Sequence, residues 1–358
     1  MKKRSMFTAA CLALAVASSA VAQAVTTAPT TQKTAAQIQA EKQAESYTKA
    51  AQAGNVEAMY NLGLCYAKGD GVVEDVVQAA QWYTRAAEKG HPQAQCALAA
   101  SYLFGLGVKR DPPKAVEWYT KAADKGFAEA QFNLGGCYAL GAAGVKKDPA
   151  KAFAWFQKAA QQGHAGAQHN LGVCYEEGAG VAKDPAKAVE WIRKAAEQGY
   201  ARSQYNLGLR YEHAQGVNKD IAQAVAWYKK AAEQGFAAAQ YAYGVCFADG
   251  VGVKQDIKQA VAWFEKAAEQ DHPLAQYNLG VCYETGEGVD KKDAVRAFRW
   301  YRKAALQDVT EAQYAVGVAY EDGHGARQDH ERAIHWYKKA AAAGHEDAAE
   351  GLKRLQGE

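Results

Sequence analysis

The chain has 358 residues, 49% hydrophobic and 23% charged, a balance that belongs to a folded globular protein and excludes a disordered one. Its 42 Lys and Arg against 39 Asp and Glu leave a formal net charge of +3; without a basic excess, no nucleic-acid partner is expected. Beyond the extreme N-terminus no run of about 20 apolar residues offers a membrane helix, and 33 Gly against 7 Pro point to helices punctuated by glycine.

Residues 1–22 have the layout of a bacterial Sec-type signal peptide. Lys2, Lys3 and Arg4 precede an apolar core from Met6 to Val16, and Ala20-Val21-Ala22 or Ala22-Gln23-Ala24 supplies the small-residue cleavage site. Cleavage after Ala22 or Ala24 is expected, giving a periplasmic or secreted chain with no membrane insertion afterwards. Cys11 is not placed for lipidation, because the apolar run continues past it. Residues 23–33 read as a linker, and residues 34–54 as an N-terminal capping helix with Tyr47 and Ala50-Ala51 in register with the repeats downstream.

The eight tryptophans, Trp82, Trp118, Trp155, Trp191, Trp227, Trp263, Trp300 and Trp336, recur every 36 or 37 residues. A fixed period of this size is the mark of a repeat array. The units run 55–90, 91–126, 127–163, 164–199, 200–235, 236–271, 272–308 and 309–344, so residues 55–344 form one array. In each unit apolar residues at helical spacing predict a first helix, as with Ala58, Met59, Leu62, Cys65 and Tyr66. A Gly-x-Gly turn ends it. An aspartate in every unit, from Asp75 to Asp329, then N-caps a second helix. That helix is expected to bury Ala79, Trp82, Tyr83, Ala86 and Ala87. A glycine on most first helices, such as Gly63, costs helix propensity and implies close packing. Residues 345–358 read as a lone C-terminal capping helix.

These residues resemble the Sel1-like repeat family. The match is carried, for example, by Ala167-Gln168-His169-Asn170-Leu171-Gly172, Tyr175, Gly178-Ala179-Gly180-Val181, Asp184, Trp191 and Lys194-Ala195-Ala196. Tetratricopeptide repeats are related but have a period of 34. The resemblance implies an all-α fold: a right-handed superhelical α/α solenoid of eight two-helix repeats, acting as an adaptor for other proteins. Departures fall in loops: Ala214 for the first loop glycine in the fifth unit, Ala326 for the loop valine in the eighth, and Ala142-Ala143 lengthening the third.

With Leu62 turned toward its partner helix, Tyr60 and Leu64 lie on the opposite face. The Tyr60 position is filled in turn by Cys96, Phe132, His169, Tyr205, Tyr241, Tyr277 and Tyr314. A second ladder, Asn61, Asn133, Asn170, Asn206 and Asn278, points sideways. Two readings stand for each ladder: packing against adjacent units, or a concave groove for a protein or peptide. The partner-binding candidates are therefore Tyr60, Phe132, Tyr205, Tyr241, Tyr277, Tyr314 and the five asparagines.

Carboxylates gather at first-helix ends (Glu176, Glu177, Glu212, Asp249, Glu284, Glu321 and Asp322); they read as an acidic edge that attracts basic partners or, in the preferred reading, as local pairs with loop cations such as Lys183, Lys219 and Arg327. The cations before each Ala-Ala pair, from Arg85 to Lys339, are expected to form a solvated face. Six cysteines remain after cleavage and read as small buried hydrophobes. His324, His330 and His335 crowd the eighth unit without zinc-type spacing. A Ser-x-x-Lys match, Ser46-Tyr47-Thr48-Lys49, lacks its companion signals, so neither an enzyme nor any cofactor is expected. An exported interaction scaffold is the leading reading; a β-lactamase-like or cell-wall-active enzyme and a secreted effector that binds host proteins are the alternatives.

Overall fold

A computed structural model describes residues 33–357; the signal peptide and nearly all of the linker lie outside the described residues. Among the described residues every regular element is an α-helix. The chain divides into two units, residues 1–191 and 192–358.

In the first unit a lone helix, α1 (Ala35–Gln52), precedes the helix pairs α2 (Val56–Lys68) and α3 (Val76–Glu88), α4 (Pro92–Phe104) and α5 (Pro112–Asp124), α6 (Ala128–Leu140) and α7 (Pro149–Gln161). The helix α8 (Ala165–Glu177) comes next, and α9 (Pro185–Glu197) carries the division between the units. In the second unit α10 (Ala201–His213) pairs with α11 (Ile221–Glu233), α12 (Ala237–Asp249) with α13 (Ile257–Glu269), α14 (Pro273–Thr285) with α15 (Ala294–Ala305), and α16 (Thr310–Asp322) with α17 (His330–Ala342). The lone helix α18 (Glu346–Gln356) closes it. Within each unit, consecutive helices pack on one another.

Each pair is closed by the same local chemistry. The aspartate before each second helix accepts from a first-turn amide, as at Asp75 (Gln78 N–H, 3.0 Å) and Asp256 (Gln259 N–H, 3.0 Å). Its own N–H donates to an aromatic residue's carbonyl near the end of the first helix, Tyr66 for Asp75 and Phe247 for Asp256, both at 2.9 Å. One residue therefore fixes both sides of the loop. Ala214 holds the left-handed turn conformation that glycine holds in the other repeats, with φ 55 and ψ 38, so the departure leaves the loop geometry intact. At Gly71 and Gly107 a Cβ would collide with the carbonyls of Ala40 and Val76 on the preceding helices. These glycines serve close approach as well as the turn.

The core differs from expectation in one respect. The tryptophan is not the buried aromatic of the second helix. Trp82, Trp118, Trp155, Trp227, Trp263 and Trp300 are half-buried, and only Trp336 is buried. The residue after it fills the core: Tyr83, Tyr119, Phe156, Tyr228, Phe264, Tyr301 and Tyr337 are all buried. One edge of its ring lies against the first-helix glycine. An added Cβ would come within 2.5 Å of a Tyr83 ring carbon at Gly63 and 2.8 Å of Phe264 at Gly244. The close packing inferred from that glycine is thus a ring edge set against helix backbone.

Candidate functional site

The aromatic ladder stands on the first-helix face opposite Leu62, which is fully buried. Tyr60, Phe132, Tyr205, Tyr241, Tyr277 and Tyr314 are all half-buried, while His169 is buried. Each of the six leans against the core ring of its own repeat, as Tyr60 on Tyr83 at 6.0 Å and Tyr277 on Tyr301 at 5.7 Å between centroids. Four are also stacked by the residue that opens the next helix: His91 on Tyr60 at 5.0 Å, His164 on Phe132 at 4.6 Å, His272 on Tyr241 at 4.7 Å and His345 on Tyr314 at 4.3 Å. Phe236 tilts on Tyr205 at 5.6 Å.

Those histidines are helix N-caps. His91 Nδ1 accepts the Ala94 N–H at 3.2 Å and His164 Nδ1 that of Ala167 at 3.0 Å. Their Nε2 atoms lie 2.8 Å from Glu57 and Glu129. An imidazole that accepts at Nδ1 carries its proton on Nε2, so each cap donates to a carboxylate on the preceding first helix. The hydrogen bond from His164 leads the effects that hold the Glu129 carboxyl below its ordinary range, against the opposing effect of burial. Burial lowers the pKa of His272, which caps α14 through Ala275 N–H at 3.3 Å.

The asparagine ladder is mixed. Asn133 reaches Cys96 Sγ of the preceding repeat at 3.7 Å and Glu129 on its own helix at 3.4 Å. Burial raises the pKa of the Tyr241 hydroxyl of the preceding repeat, and Asn278 beside it opposes that shift. Asn61 reaches only Glu57, at 3.5 Å. Asn170 is buried and Asn206 half-buried.

One expected charge arrangement is corrected, and in the other the cations before the Ala-Ala pairs are exposed as expected. Glu212, Glu284 and Glu321 are engaged by core tyrosines: the hydroxyls of Tyr228, Tyr301 and Tyr337 donate to them, the latter two at 2.5 and 2.6 Å. A hydroxyl inside the core needs an acceptor, and these carboxylates are nearest. Burial, then the carboxylate, pushes those tyrosines far above their ordinary pKa. The cations before the Ala-Ala pairs cover the half-buried tryptophans: Lys121 sits 3.9 Å from the Trp118 centroid, Lys230 3.9 Å from Trp227 and Arg85 4.4 Å from Trp82. Three residues apart on a helix is the spacing that lets a cation meet a ring.

A glutamine ladder, visible in the sequence only as a recurring residue, ties the helices together. Gln95, Gln131, Gln204, Gln240, Gln276 and Gln313 are buried. Each donates Nε2 to a carbonyl of the preceding second helix, as Gln131 to Ala123 at 3.1 Å and Gln276 to Ala268 at 3.2 Å. The Oε1 atoms of four accept from a glutamine at the end of the following helix: Gln162 to Gln131 at 2.7 Å, Gln234 to Gln204 at 2.6 Å, Gln270 to Gln240 at 2.8 Å and Gln307 to Gln276 at 2.9 Å.

Among the described residues the six cysteines are buried and none is in a disulfide. Ser46 is exposed on α1, and Lys49 pairs with Glu45 at 2.7 Å. Among the described residues no group of three His, Cys, Asp or Glu is arranged to hold a metal, and no helix is long and apolar enough to cross a membrane.

These features define an all-α, two-helix repeat protein. The Sel1 repeat profile matches residues 56–91, 92–127, 128–164, 165–200, 201–236, 237–272, 273–309 and 310–345, and the chain belongs to the Sel1 repeat family, whose members are in general protein-interaction scaffolds. It is similar to c5321, a protective antigen of uropathogenic Escherichia coli strains with an SLR fold: 38% identity, TM-score 0.72, covering 87% of this chain and 67% of that one. It is also similar to a Sel1 repeat protein from Oxalobacter formigenes: 32% identity, TM-score 0.64, covering 93% and 98%. No curated protein matches.

Proposed function

We propose that this chain is an exported scaffold that holds a protein or peptide against the first-helix face carrying the aromatic ladder. The observation that carries the reading is the half-exposure of Tyr205, Tyr241, Tyr277 and Tyr314 on helices whose opposite face is already buried. Tyrosine offers large contact area at low entropic cost, which suits it to recognition. Core rings brace all four side chains and histidine caps also brace Tyr241 and Tyr314 before a partner arrives, so less conformational freedom is lost on binding.

In-cell crosslinking of the mature chain, then pull-down, tests this. The control is the triple variant Tyr205→Ser, Tyr241→Ser, Tyr277→Ser, checked for helicity. A partner lost only in the variant is expected; a partner held equally by both refutes the assignment to this face. Export rests on Lys2, Lys3, Arg4 and the apolar run beyond them. N-terminal sequencing of the protein from cells is expected to begin at Gln23 or Val25, and an intact Met1 would refute it.

A further inference from the structure

A cleft of ≈ 550 Å³ opens on this face in the second unit. It is lined by the rings of Tyr277 and Tyr314, by Val281 and Val318, and by the carboxylates of Glu284, Glu311 and Asp322. That size falls within the range of ligand-holding recesses.

Beside Tyr277 the next repeat supplies aliphatic side chains where several others supply a ring or an asparagine. At four other ladder aromatics a histidine opening the next repeat stacks on the ring, as His272 does on Tyr241, and at Tyr205 the ring there is Phe236; at Tyr277 that position is the aliphatic Val309. The asparagine position of the next repeat is Ala315, which lines the cleft, just as it is Ala97 beyond Tyr60 and Ala242 beyond Tyr205. Ala319, also in the lining, stands where most repeats have cysteine. Among the described residues no ring of the eighth repeat stacks on Tyr277.

The charge of the cleft has one sign. Among its described lining residues are no lysine and no arginine. Arg354, whose charge acts on Tyr314, is taken by Glu321 in a two-oxygen pairing at 2.8 Å. Of the two histidines in the lining, His345 has its Nδ1 committed to the Ala348 N–H at 3.4 Å, and His324 is exposed. Glu311 and Asp322 are exposed at the rim. Burial, reinforced by Glu311 and Glu284, raises the pKa of the Tyr277 hydroxyl, as a negative potential requires.

We propose that this cleft seats a basic segment of the protein partner, with arginine guanidinium groups against the tyrosine rings, one donating to Glu311 at one end of the cleft and another to Asp322 at the other. A guanidinium stays charged at every relevant pH, is weakly hydrated and stacks on aromatic faces while donating in its plane. Aromatic walls with a carboxylate rim complement that combination, and repel an acidic segment. The inference rests on the docking face proposed for the aromatic ladder and names the occupant's chemistry.

Fluorescence anisotropy on the full mature chain tests it, with a fluorescein-labelled Gly-Arg-Gly-Arg-Gly-Arg-Gly probe and a counterpart in which neutral citrulline replaces arginine. The arginine probe is expected to bind. The citrulline probe is expected to bind about tenfold more weakly, as is the arginine probe to a Glu311→Gln, Asp322→Asn double variant; both changed residues are exposed, so folding is not at stake. Added salt should weaken binding. No binding of the arginine probe, equal binding of the citrulline probe, or full binding to the double variant would each overturn the proposal. Displacement by equimolar spermidine would overturn it in favour of a free polyamine. A cellular partner that depends on the tyrosines but is indifferent to the double variant would overturn the arginine cleft and leave the docking face standing. A probe held in the cleft while cellular partners ignore the triple tyrosine variant would support the cleft and remove the wider reading.

Discussion

The glutamine ladder has one broken rung, and mending it should stabilise the protein. Gln95 donates to Ala87 O at 3.1 Å, but its Oε1 is buried and accepts no hydrogen bond. The partner position, held by glutamine at Gln162, Gln234, Gln270 and Gln307, is Lys125, whose Nζ donates to Gly90 O at 2.7 Å instead. A buried acceptor left unmade costs about 1–3 kcal/mol, and a neutral hydrogen bond contributes about 0.5–1.5 kcal/mol net. The exposed lysine contact that would be lost is worth less than about 1 kcal/mol. Lys125→Gln should therefore gain about 1 kcal/mol. The converse change, Gln162→Lys, should cost a similar amount by orphaning Gln131. The first repeat avoids the problem by placing Met59 opposite Lys89, so Gln95→Met should also be neutral or stabilising. Urea unfolding monitored by circular dichroism reads the change. Hydrogen exchange across α4 and α5 localises it, which matters because repeat arrays need not unfold in one step. If Lys125→Gln gains nothing while Gln162→Lys costs nothing, the ladder does not contribute the stability assigned to it.

The loop, cap and thiol geometries each set a further expected outcome. Ala214→Gly should stabilise the fifth repeat by roughly 0.5–1 kcal/mol, since a left-handed alanine costs about 1–2 kcal/mol and glycine returns part of that as unfolded-state entropy; a lower urea midpoint would refute it. His272 has a lowered folded pKa, so its contribution is complete above its ordinary value near 6.5. It declines as pH falls, because the unfolded chain takes up the proton first, with a slope of at most about 1.4 kcal/mol per pH unit. His272→Asn keeps an N-cap acceptor and should flatten that part of the pH profile between about pH 8 and 5; an unchanged profile would count against the cap. Burial pushes the thiols of Cys96 and Cys174 up to about 12 and those of Cys246 and Cys282 to about 11. Because the thiolate is the reactive form, a disulfide-exchange reagent near the ordinary thiol pKa of about 8.5 should label none of these four in the folded protein and all of them in urea.

Much of the architecture is legible in the sequence because it is periodic. The tryptophan spacing gives the frame, the aspartates give the second-helix starts, and the recurrent Gly-x-Gly gives the turns, each through interactions within a few residues. The aromatic and asparagine ladders are legible as positions on a helix face. Their surroundings are not: that His91 or His272 stacks on the preceding repeat's tyrosine depends on contacts about 30 residues apart in the chain. The tryptophan misleads for a related reason. Helical spacing puts Trp82 and Tyr83 near one face, and only the packed pair shows that Tyr83 lies against Gly63 while Trp82 is left half-covered beneath Arg85. Proximity in sequence likewise assigns Glu212 and Glu284 to loop lysines, whereas the buried hydroxyls of Tyr228 and Tyr301 reach them from the next helix.

By itself, then, the order of residues determined the helices, their ends, their number per repeat and the family, because those depend on local hydrogen bonding repeated eight times. Only the tertiary structure decided which ring fills the core, which polar side chains are consumed in binding helix to helix, and that Tyr277 and Tyr314 line a cleft with Glu311 and Asp322. Those outcomes depend on which surfaces meet, and a buried polar atom must take whatever partner that meeting provides.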